Sequence, residues 1–343
     1  MDSPTAQIEA WILGHLADRL GLEPAEIDPH RPFAEYGLAS LEGVNLVKEL
    51  AGLLGRELPL TLAWEQPTAA ALAAHLANEA PAAPRISAGQ QPAPEGAVAI
   101  IGMGARFPGA PGLRAFWELL SAGGDAITEV PPERWPLDQF YDPDPTQPGK
   151  LASRWGGFVA GIDQFDAEFF GLPDHEAAHL DPRQRLICET AWEALEDAGI
   201  PPLSLAGSST GVFVSTLSAN YGSIIFNYYP ETVRAATGTG NGDSVIANRL
   251  SYLLDLRGPS MAINTACSGA LVALHLACQS LRAGESQLAL AGGVNLLLKP
   301  DDTIFFTKTG ALSPDGRCKV FDRAANGIVR SDGAGVVVLK PLE

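Results

Sequence analysis

Ser260-Met261-Ala262-Ile263-Asn264-Thr265-Ala266-Cys267-Ser268-Gly269-Ala270 is the stretch whose reading decides the fold. Its first four residues, Ser260 to Ile263, read as a short apolar strand. After it Leu271, Leu274, His275, Cys278 and Leu281 recur at three- and four-residue steps, which predicts a helix with these residues on one face. Cys267 then stands on a strand–turn–helix corner, at or just before the first helical turn. Unpaired N–H groups and the positive end of a helix dipole favour thiolate over thiol there. Small residues at 269 and 270 leave room for a substrate to approach the sulfur. The pattern is that of a nucleophile elbow built around cysteine. The competing reading is a buried structural cysteine, since free cysteine is among the most buried residue types. That reading suits Cys278, in phase with Leu271, Leu274 and Leu281, and Cys188, four residues before Trp192.

Outward from this corner, from Ala97 onward, strands alternate with helices. Val98 to Gly102, Gly211 to Ser215, Leu288 to Gly292 and Val336 to Leu339 read as buried strands, with amphipathic helices between several of them. The class is a layered α/β architecture. The composition changes abruptly upstream, between Asn78 and Ala97. Residues 79–96 hold four prolines and almost no apolar bulk, so they read as a semi-rigid, partly extended linker. Stretched at roughly 3.3 Å per residue it would span on the order of 60 Å, a reach suited to a small domain serving a larger one.

The first 77 residues read as all-helical. Ile8, Ile12, Leu16 and Leu20 recur every four residues, with Trp11 and Leu13 widening the stripe. A second helix begins near Ser40, carries Leu41, Val44, Val47, Leu50 and Leu54 on one face, and stops at Gly55. Thr68 can cap a last helix with Leu72 and Leu76. Short helices need one another, so a small bundle is expected.

The whole chain, 343 residues with 46% hydrophobic and 18% charged residues, is globular in composition. A net charge of −17 argues against nucleic acid or an anionic membrane as partner. The start Met1-Asp2-Ser3-Pro4 lacks the basic and apolar parts of a signal peptide, and no apolar run reaches membrane-span length. Four cysteines without CxxC spacing suggest neither a disulfide framework nor a zinc knuckle, and a reduced cytoplasm fits them.

Three motifs compete with this reading. His175-Glu176-Ala177-Ala178-His179 matches HExxH, but Pro173 precedes it and Asp181-Pro182 breaks the helix just after; a zinc peptidase is kept only as a remote alternative, and no metal site is assigned. Gly207-Ser208-Ser209-Thr210-Gly211 matches GxSxG, yet it precedes a strand, where a hydrolase elbow follows one. Gly102-Met103-Gly104 and Gly238-Thr239-Gly240 lack the third glycine of a dinucleotide fingerprint, at Phe107 and Asp243.

Two resemblances organise the remainder. Phe33-Ala34-Glu35-Tyr36-Gly37-Leu38-Ala39-Ser40-Leu41, within residues 6 to 77, resembles the attachment site of acyl carrier domains. The resemblance implies a 4'-phosphopantetheine arm, covalent on Ser40, placed by a phosphopantetheinyl transferase from coenzyme A. An ordinary helix N-cap is the plainer reading of that serine. The family usually has Asp immediately before the serine and this chain has Ala39, which removes a helix-capping carboxylate and implies slower loading. Residues 97 to 343 resemble the N-terminal part of a β-ketoacyl synthase of the modular polyketide type. The resemblance is carried by Val98 to Gly104, Phe116-Trp117-Glu118-Leu119-Leu120, Phe169-Phe170-Gly171 and Asp181 to Leu186. It continues through Ala191 to Gly199, Ala247 to Tyr252, the Cys267 motif, and Gly316 to Asp322. Gly269 in place of the commoner serine, and Ser331-Asp332 where Gly-Glu is usual, are departures.

By this resemblance Cys267 is the acyl-accepting nucleophile of a thiolase-like fold. The implied organisation is a carrier-type helix bundle (1–78), a linker (79–96) and the front part of a ketosynthase (97–343), so α plus layered α/β. The implied chemistry is transfer of an acyl chain from the carrier to Cys267, then decarboxylative Claisen condensation with a malonyl-type extender. The family's two catalytic histidines lie in its C-terminal half, whereas none of the six here follows His275. The chain is therefore expected to be truncated, incomplete for condensation by itself, and uncovered on the apolar sheet face at Val336 to Leu339. Implied partners are acyl and malonyl-type thioesters, downstream or trans-acting synthase domains including an acyltransferase, and a second copy through the complete ketosynthase. The alternative is a non-condensing carrier and docking protein for starter delivery.

Overall fold

The apolar four-residue repeat near the N-terminus builds the first of two units. These comprise Met1–Gln91 and Pro92–Glu343. The computed structural model describes residues 4–36, 40–56, 58–59, 61–78, 96–217, 221–228 and 233–342. In the first unit α1 (Pro4–Leu20), α2 (Ser40–Leu54), the short α3 (Leu62–Glu65) and α4 (Ala69–Asn78) form a bundle. Ile8, Ile12 and Leu16 meet Leu46, Val47, Leu50, Leu72 and Leu76 in one core. Such helices are marginal alone, and burial of about 1.5–3 kcal/mol per large apolar side chain holds them. Gly55, at φ +62°, ends α2 as the sequence predicts. Thr68 Oγ1 accepts the Ala71 N–H at 3.2 Å and caps α4. Leu46 and Leu62, both wholly buried, join this core together with Ile27 and Phe33, beyond the residues of the predicted stripes. Of the predicted linker, residues 79–95 lie outside the described residues.

The second unit is built on a five-stranded mixed sheet in the order β1-β7-β6-β4-β5. Its strands are β1 (Val98–Arg106), β4 (Thr210–Thr216), β5 (Ser260–Ile263), β6 (Leu288–Asn295) and β7 (Gly333–Pro341); β2 (Ile127–Glu129) and β3 (Trp155–Gly157) pair separately. β4 runs parallel to β5 and β6, and β7 runs antiparallel to β6 and β1. The helices are α5 (Leu113–Ser121), α6 (Leu137–Phe140), α7 (Asp174–Ala177), α8 (Pro182–Asp197) and α9 (Tyr221–Tyr228). They continue with α10 (Ala235–Asn241), α11 (Val245–Leu253), α12 (Gly269–Arg282) and α13 (Asp301–Lys308). Among the described residues no helix is long and apolar enough to cross a membrane.

The layers follow the alternation of the strands. Val212, Val214, Leu290, Val336 and Val338 pack against Ile187, Ala191, Ala194 and Leu195 of α8. Phe213, Ala289, Ala291 and Leu339 point the other way, to Ala273, Ala277 and Leu281 of α12. The expectation of an uncovered sheet face at Val336 to Leu339 is thus corrected: α8 covers Val336 and Val338, and Leu339 is 1% exposed beneath α12.

Two further corrections share a cause. β1, β6 and β7 each run several residues beyond the stretches predicted from apolar pattern, through Gly104, Gly293, Gly333 and Gly335. Gly102 and Gly104 lie where layers meet closely: a Cβ at Gly102 would lie 2.7 Å from Ala198 Cβ of the α8 terminus, and one at Gly104 3.1 Å from Ala194 N. On α12 the buried line is small, Gly269, Ala273, Ala277 and Ser280 ahead of Leu281, while Leu271 is 72% exposed and His275 is exposed. Of the predicted stripe, Leu271 and His275 lie on the outer side of α12, Leu274 and Cys278 are half-buried against the core, and only Leu281 is buried, because close approach to the sheet selects small residues over large apolar ones.

Candidate active site

β5 ends at Ile263, and the chain turns through a single 3-10 turn, Ala266–Ser268, before α12 begins. Ala266 has φ +52°, a left-handed conformation that costs a non-glycine residue about 1–2 kcal/mol. Side chains hold that turn in place. Asn264 Oδ1 accepts the Ala266 N–H at 3.2 Å, and Ser268 Oγ donates to the Thr265 carbonyl oxygen at 2.8 Å. The residue so presented, between the strained alanine and the helix start, is Cys267. It is the exposed one of four free cysteines. Cys188 is buried under α11, and burial pushes its thiol up to about 12 against the pull of Arg249. Cys278 is half-buried rather than buried as expected, and the half-buried Cys318 accepts the Val329 N–H at 3.3 Å through its sulfur.

A cleft of about 550 Å³ opens at Cys267. Its floor is the C-terminal half of β6 with the first part of β7, where glycines thin the sheet, and Phe107, Leu217, Leu271 and Val337 give it apolar walls. Behind it stands a buried polar frame that the pattern reading did not single out. Asp181 caps α8 by accepting the Arg183 N–H at 2.8 Å, and it pairs with Arg183 Nη2 at 2.8 Å. Arg183 Nη1 then donates to Thr216 Oγ1 at 2.9 Å and to the Leu217 carbonyl oxygen, fixing the end of β4 at the cleft. On the far wall Asp332 accepts from Leu297 N at 2.6 Å, Val159 N at 2.9 Å and Arg134 Nη2 at 2.7 Å. Burial raises the Asp332 carboxyl above its ordinary range, opposed by Arg134 and the two N–H donors. The sequence signal for the first group was the Asp-Pro-Arg start of α8; nothing in the sequence marked Asp332 as buried.

The competing motifs resolve into packing. α7 ends at Ala177, so the HExxH residues do not share one helix face; Glu176 pairs with Arg249 at 3.4 Å and His179 Nδ1 meets Thr237 Oγ1 at 3.0 Å. Gly207 to Gly211 is the turn into β4. Ser40 is the first residue of α2, and residues 37–39, including Ala39, lie outside the described residues. A phosphopantetheine arm needs a hydroxyl for its phosphodiester, and Ser40 is the only serine among residues 4–78. Of the unit's threonine hydroxyls, that of Thr61 donates to Glu65 and that of Thr68 caps α4. Ser40 and Cys267 belong to separate units.

Residues 95–343 match the family model of the beta-ketoacyl synthase N-terminal domain, and residues 10–76 that of the phosphopantetheine attachment site. The chain belongs to the beta-ketoacyl synthase family, with a phosphopantetheine-carrying unit ahead of the ketosynthase unit, an organisation of polyketide synthase type. It is 45% identical over 344 residues to one phenolphthiocerol/phthiocerol polyketide synthase subunit of Mycobacterium tuberculosis, covering 99% of this chain and 18% of that one. Another subunit of the same synthase from that organism is 54% identical over 246 residues, covering 71% and 16%. Among solved structures, an oxazolomycin ketosynthase domain from Streptomyces albus JA3453 superposes with a TM-score of 0.67 at 41% identity, covering 72% of this chain and 42% of that one. The ketosynthase from module 6 of the bacillaene synthase from Bacillus subtilis 168 gives 0.64 at 38%, covering 71% and 40%. The thiolase-like layered fold and the carrier helices expected from the sequence are thereby established. The chain spans under a fifth of the curated relatives' length and under half that of the solved ketosynthases.

Proposed function

We propose that Cys267 is the acyl-accepting nucleophile of this ketosynthase unit and that Ser40 is the attachment point of the carrier unit. The observation that carries the reading is the exposed sulfur of Cys267 at the mouth of an apolar-walled cleft, on a strained turn held by Asn264 and Ser268. The 4'-phosphopantetheine group, when bound, supplies a terminal thiol that carries an acyl chain as a thioester. The Cys267 sulfur attacks a thioester carbonyl; a new carbon–sulfur bond forms, the bond to the donor sulfur breaks, and the departing thiolate takes up a proton. The backbone N–H of Cys267 is one donor to the developing oxyanion. The apolar walls take the chain, and the frame of Asp181, Arg183 and Thr216 keeps the end of β4 in register with the corner.

The domain limits that go with this reading are 1–78 for the carrier, 79–96 for the linker and 97–343 for the synthase part. The transferase is of the acyltransferase class, working on acyl and malonyl-type thioesters. Its further partners are a phosphopantetheinyl transferase with coenzyme A, other synthase domains including an acyltransferase, and a second copy. A reduced cytoplasm suits its four free cysteines.

The test is acylation of the whole chain by butyryl-N-acetylcysteamine, followed by peptide mapping. The butyryl group is expected on the Cys267 peptide and absent after Cys267→Ala. Label distributed over Cys278 or Cys318, or retained in Cys267→Ala, overturns the assignment.

A further inference from the structure

Ser215 lies near the C-terminal end of β4, in the wall of the Cys267 cleft, and is 8% exposed. Its hydroxyl has no hydrogen-bond partner among the described residues. The cleft's other polar side chains are engaged. Thr216 Oγ1 accepts from Arg183 and donates to the Leu217 carbonyl oxygen, and Ser331 Oγ donates to the Asp332 carbonyl oxygen. Asn295 Nδ2 donates to the Ser331 carbonyl oxygen, and the Asp332 carboxylate takes three donors. The Ser215 oxygen is not among the fully enclosed unpaired atoms, so it opens to the cleft, and a hydroxyl there without a protein partner is placed to meet something that enters.

The surroundings show that room was made for it. A Cβ at Gly269 would overlap Ser215 Oγ and lie 3.1 Å from Ser215 Cβ. A Cβ at Gly293 would lie 3.5 Å from Ser215 Cβ and 3.2 Å from Ala270 Cβ. Positions 215 and 269 thus compete for one space, and this chain fills it from the strand, with glycine on the helix. Gly269 is two residues from Cys267 at the same corner, and Ser215 and Cys267 line the same cleft.

We propose that the Ser215 hydroxyl is the specificity-determining group of the Cys267 cleft, recognising an oxygen near the thioester end of the acyl chain, and that Gly269 is the residue that admits it. The inference rests on Cys267 accepting acyl groups. A saturated chain leaves the hydroxyl unpaired, whereas a 3-hydroxyacyl chain pairs it. The difference corresponds to about fivefold in acylation rate, the worth of one neutral hydrogen bond.

The experiment compares 3-hydroxybutyryl- and butyryl-N-acetylcysteamine as acyl donors to the full chain, with Cys267 acylation followed by mass spectrometry of the mapped peptide. The wild type is expected to prefer the hydroxylated donor about fivefold, and Ser215→Gly to bring the ratio close to one. Gly269→Ser alone should lower the melting temperature, and the double variant Ser215→Gly/Gly269→Ser should recover it, because the shared space then holds one side chain again. Acylation with the same donor ratio in wild type and Ser215→Gly overturns this proposal alone. A wild type acylated by neither donor overturns the acyl-acceptor reading and this one with it.

Discussion

Gly102→Ala tests whether close layer contact explains the glycines of β1. The added Cβ would fall 2.6 Å from Ala198 N and 2.7 Å from Ala198 Cβ, and would overlap the Ala194 carbonyl oxygen. Carbon atoms rest at about 3.5–4.0 Å, so the last turn of α8 must retreat by about 1 Å. Overpacking of this kind costs about 1–3 kcal/mol. The retreat also stretches the bond from Met103 N–H to Asp197 Oδ2, now 2.9 Å, and the loss of a bond to a carboxylate adds about 1 kcal/mol at this exposed site. The sum is about 3 kcal/mol. For a unit of this size each kcal/mol moves the melting temperature by about 2–4 °C, so Gly102→Ala should melt about 6–12 °C below the wild type in calorimetry. Gly238 supplies the opposite sign. It is exposed within α10 and a Cβ there meets nothing within 4 Å, so Gly238→Ala should stabilise by about 0.5–1 kcal/mol. A Gly102→Ala protein melting within a degree or two of wild type would refute the packing account of β1.

The cysteines and Ser40 give the remaining outcomes. Limited alkylation at neutral pH should label Cys267 first and leave Cys188 unlabelled in the folded protein, as read by peptide mapping; early labelling at Cys188 would contradict its burial. The Cys188 thiol is raised from 9.0 to about 12, so the folded state keeps a proton that the unfolded chain releases. Its contribution is complete below pH 9 and is lost as the pH rises towards 12, up to about 4 kcal/mol across that window. Cys188→Ala should flatten this decline in urea titrations run at increasing pH, and an unchanged slope would count against it. Incubation with coenzyme A and a promiscuous phosphopantetheinyl transferase should add one arm at Ser40, none after Ser40→Ala, and add it faster after Ala39→Asp; an arm surviving Ser40→Ala would refute the assignment.

What was legible in the sequence depended on how size and polarity map onto burial. The bundle stripes of α1 and α2 were readable because large apolar residues mark the core there: Ile8, Ile12, Leu16, Val47 and Leu50 are all buried. α12 misled for the converse reason. Its inner line is Gly269, Ala273 and Ala277, which a hydrophobic-period count weighs less than the exposed Leu271 and the half-buried Leu274. The strand cores were readable from Val and Leu alternation, but their glycine ends were not, since glycine reads locally as a breaker and only the opposing helix shows why it is there. The Cys267 corner was found from its sequence neighbours alone. Ser215 was not, because its significance lies in a contact with a residue 54 positions later.

The departures named for the second unit, Gly269 and Ser331-Asp332, lie around one cleft, whereas Ala39 belongs to the first unit. Gly269 opens α12 beneath Ser215, and Ser331 and Asp332 line the opposite side of the same cleft. Neither departure loosens the frame. The Asp332 carboxylate satisfies two backbone N–H groups and Arg134, whose side chain is only 7% exposed, so a buried pair is closed rather than left open. Ser331 Oγ turns back to the Asp332 carbonyl oxygen. The Cys267 turn itself, with Asn264, Thr265 and Ser268 holding it, keeps the residues on which the resemblance rests. In this chain one of these departures, Gly269, leaves the space at the cleft wall that the Ser215 hydroxyl fills.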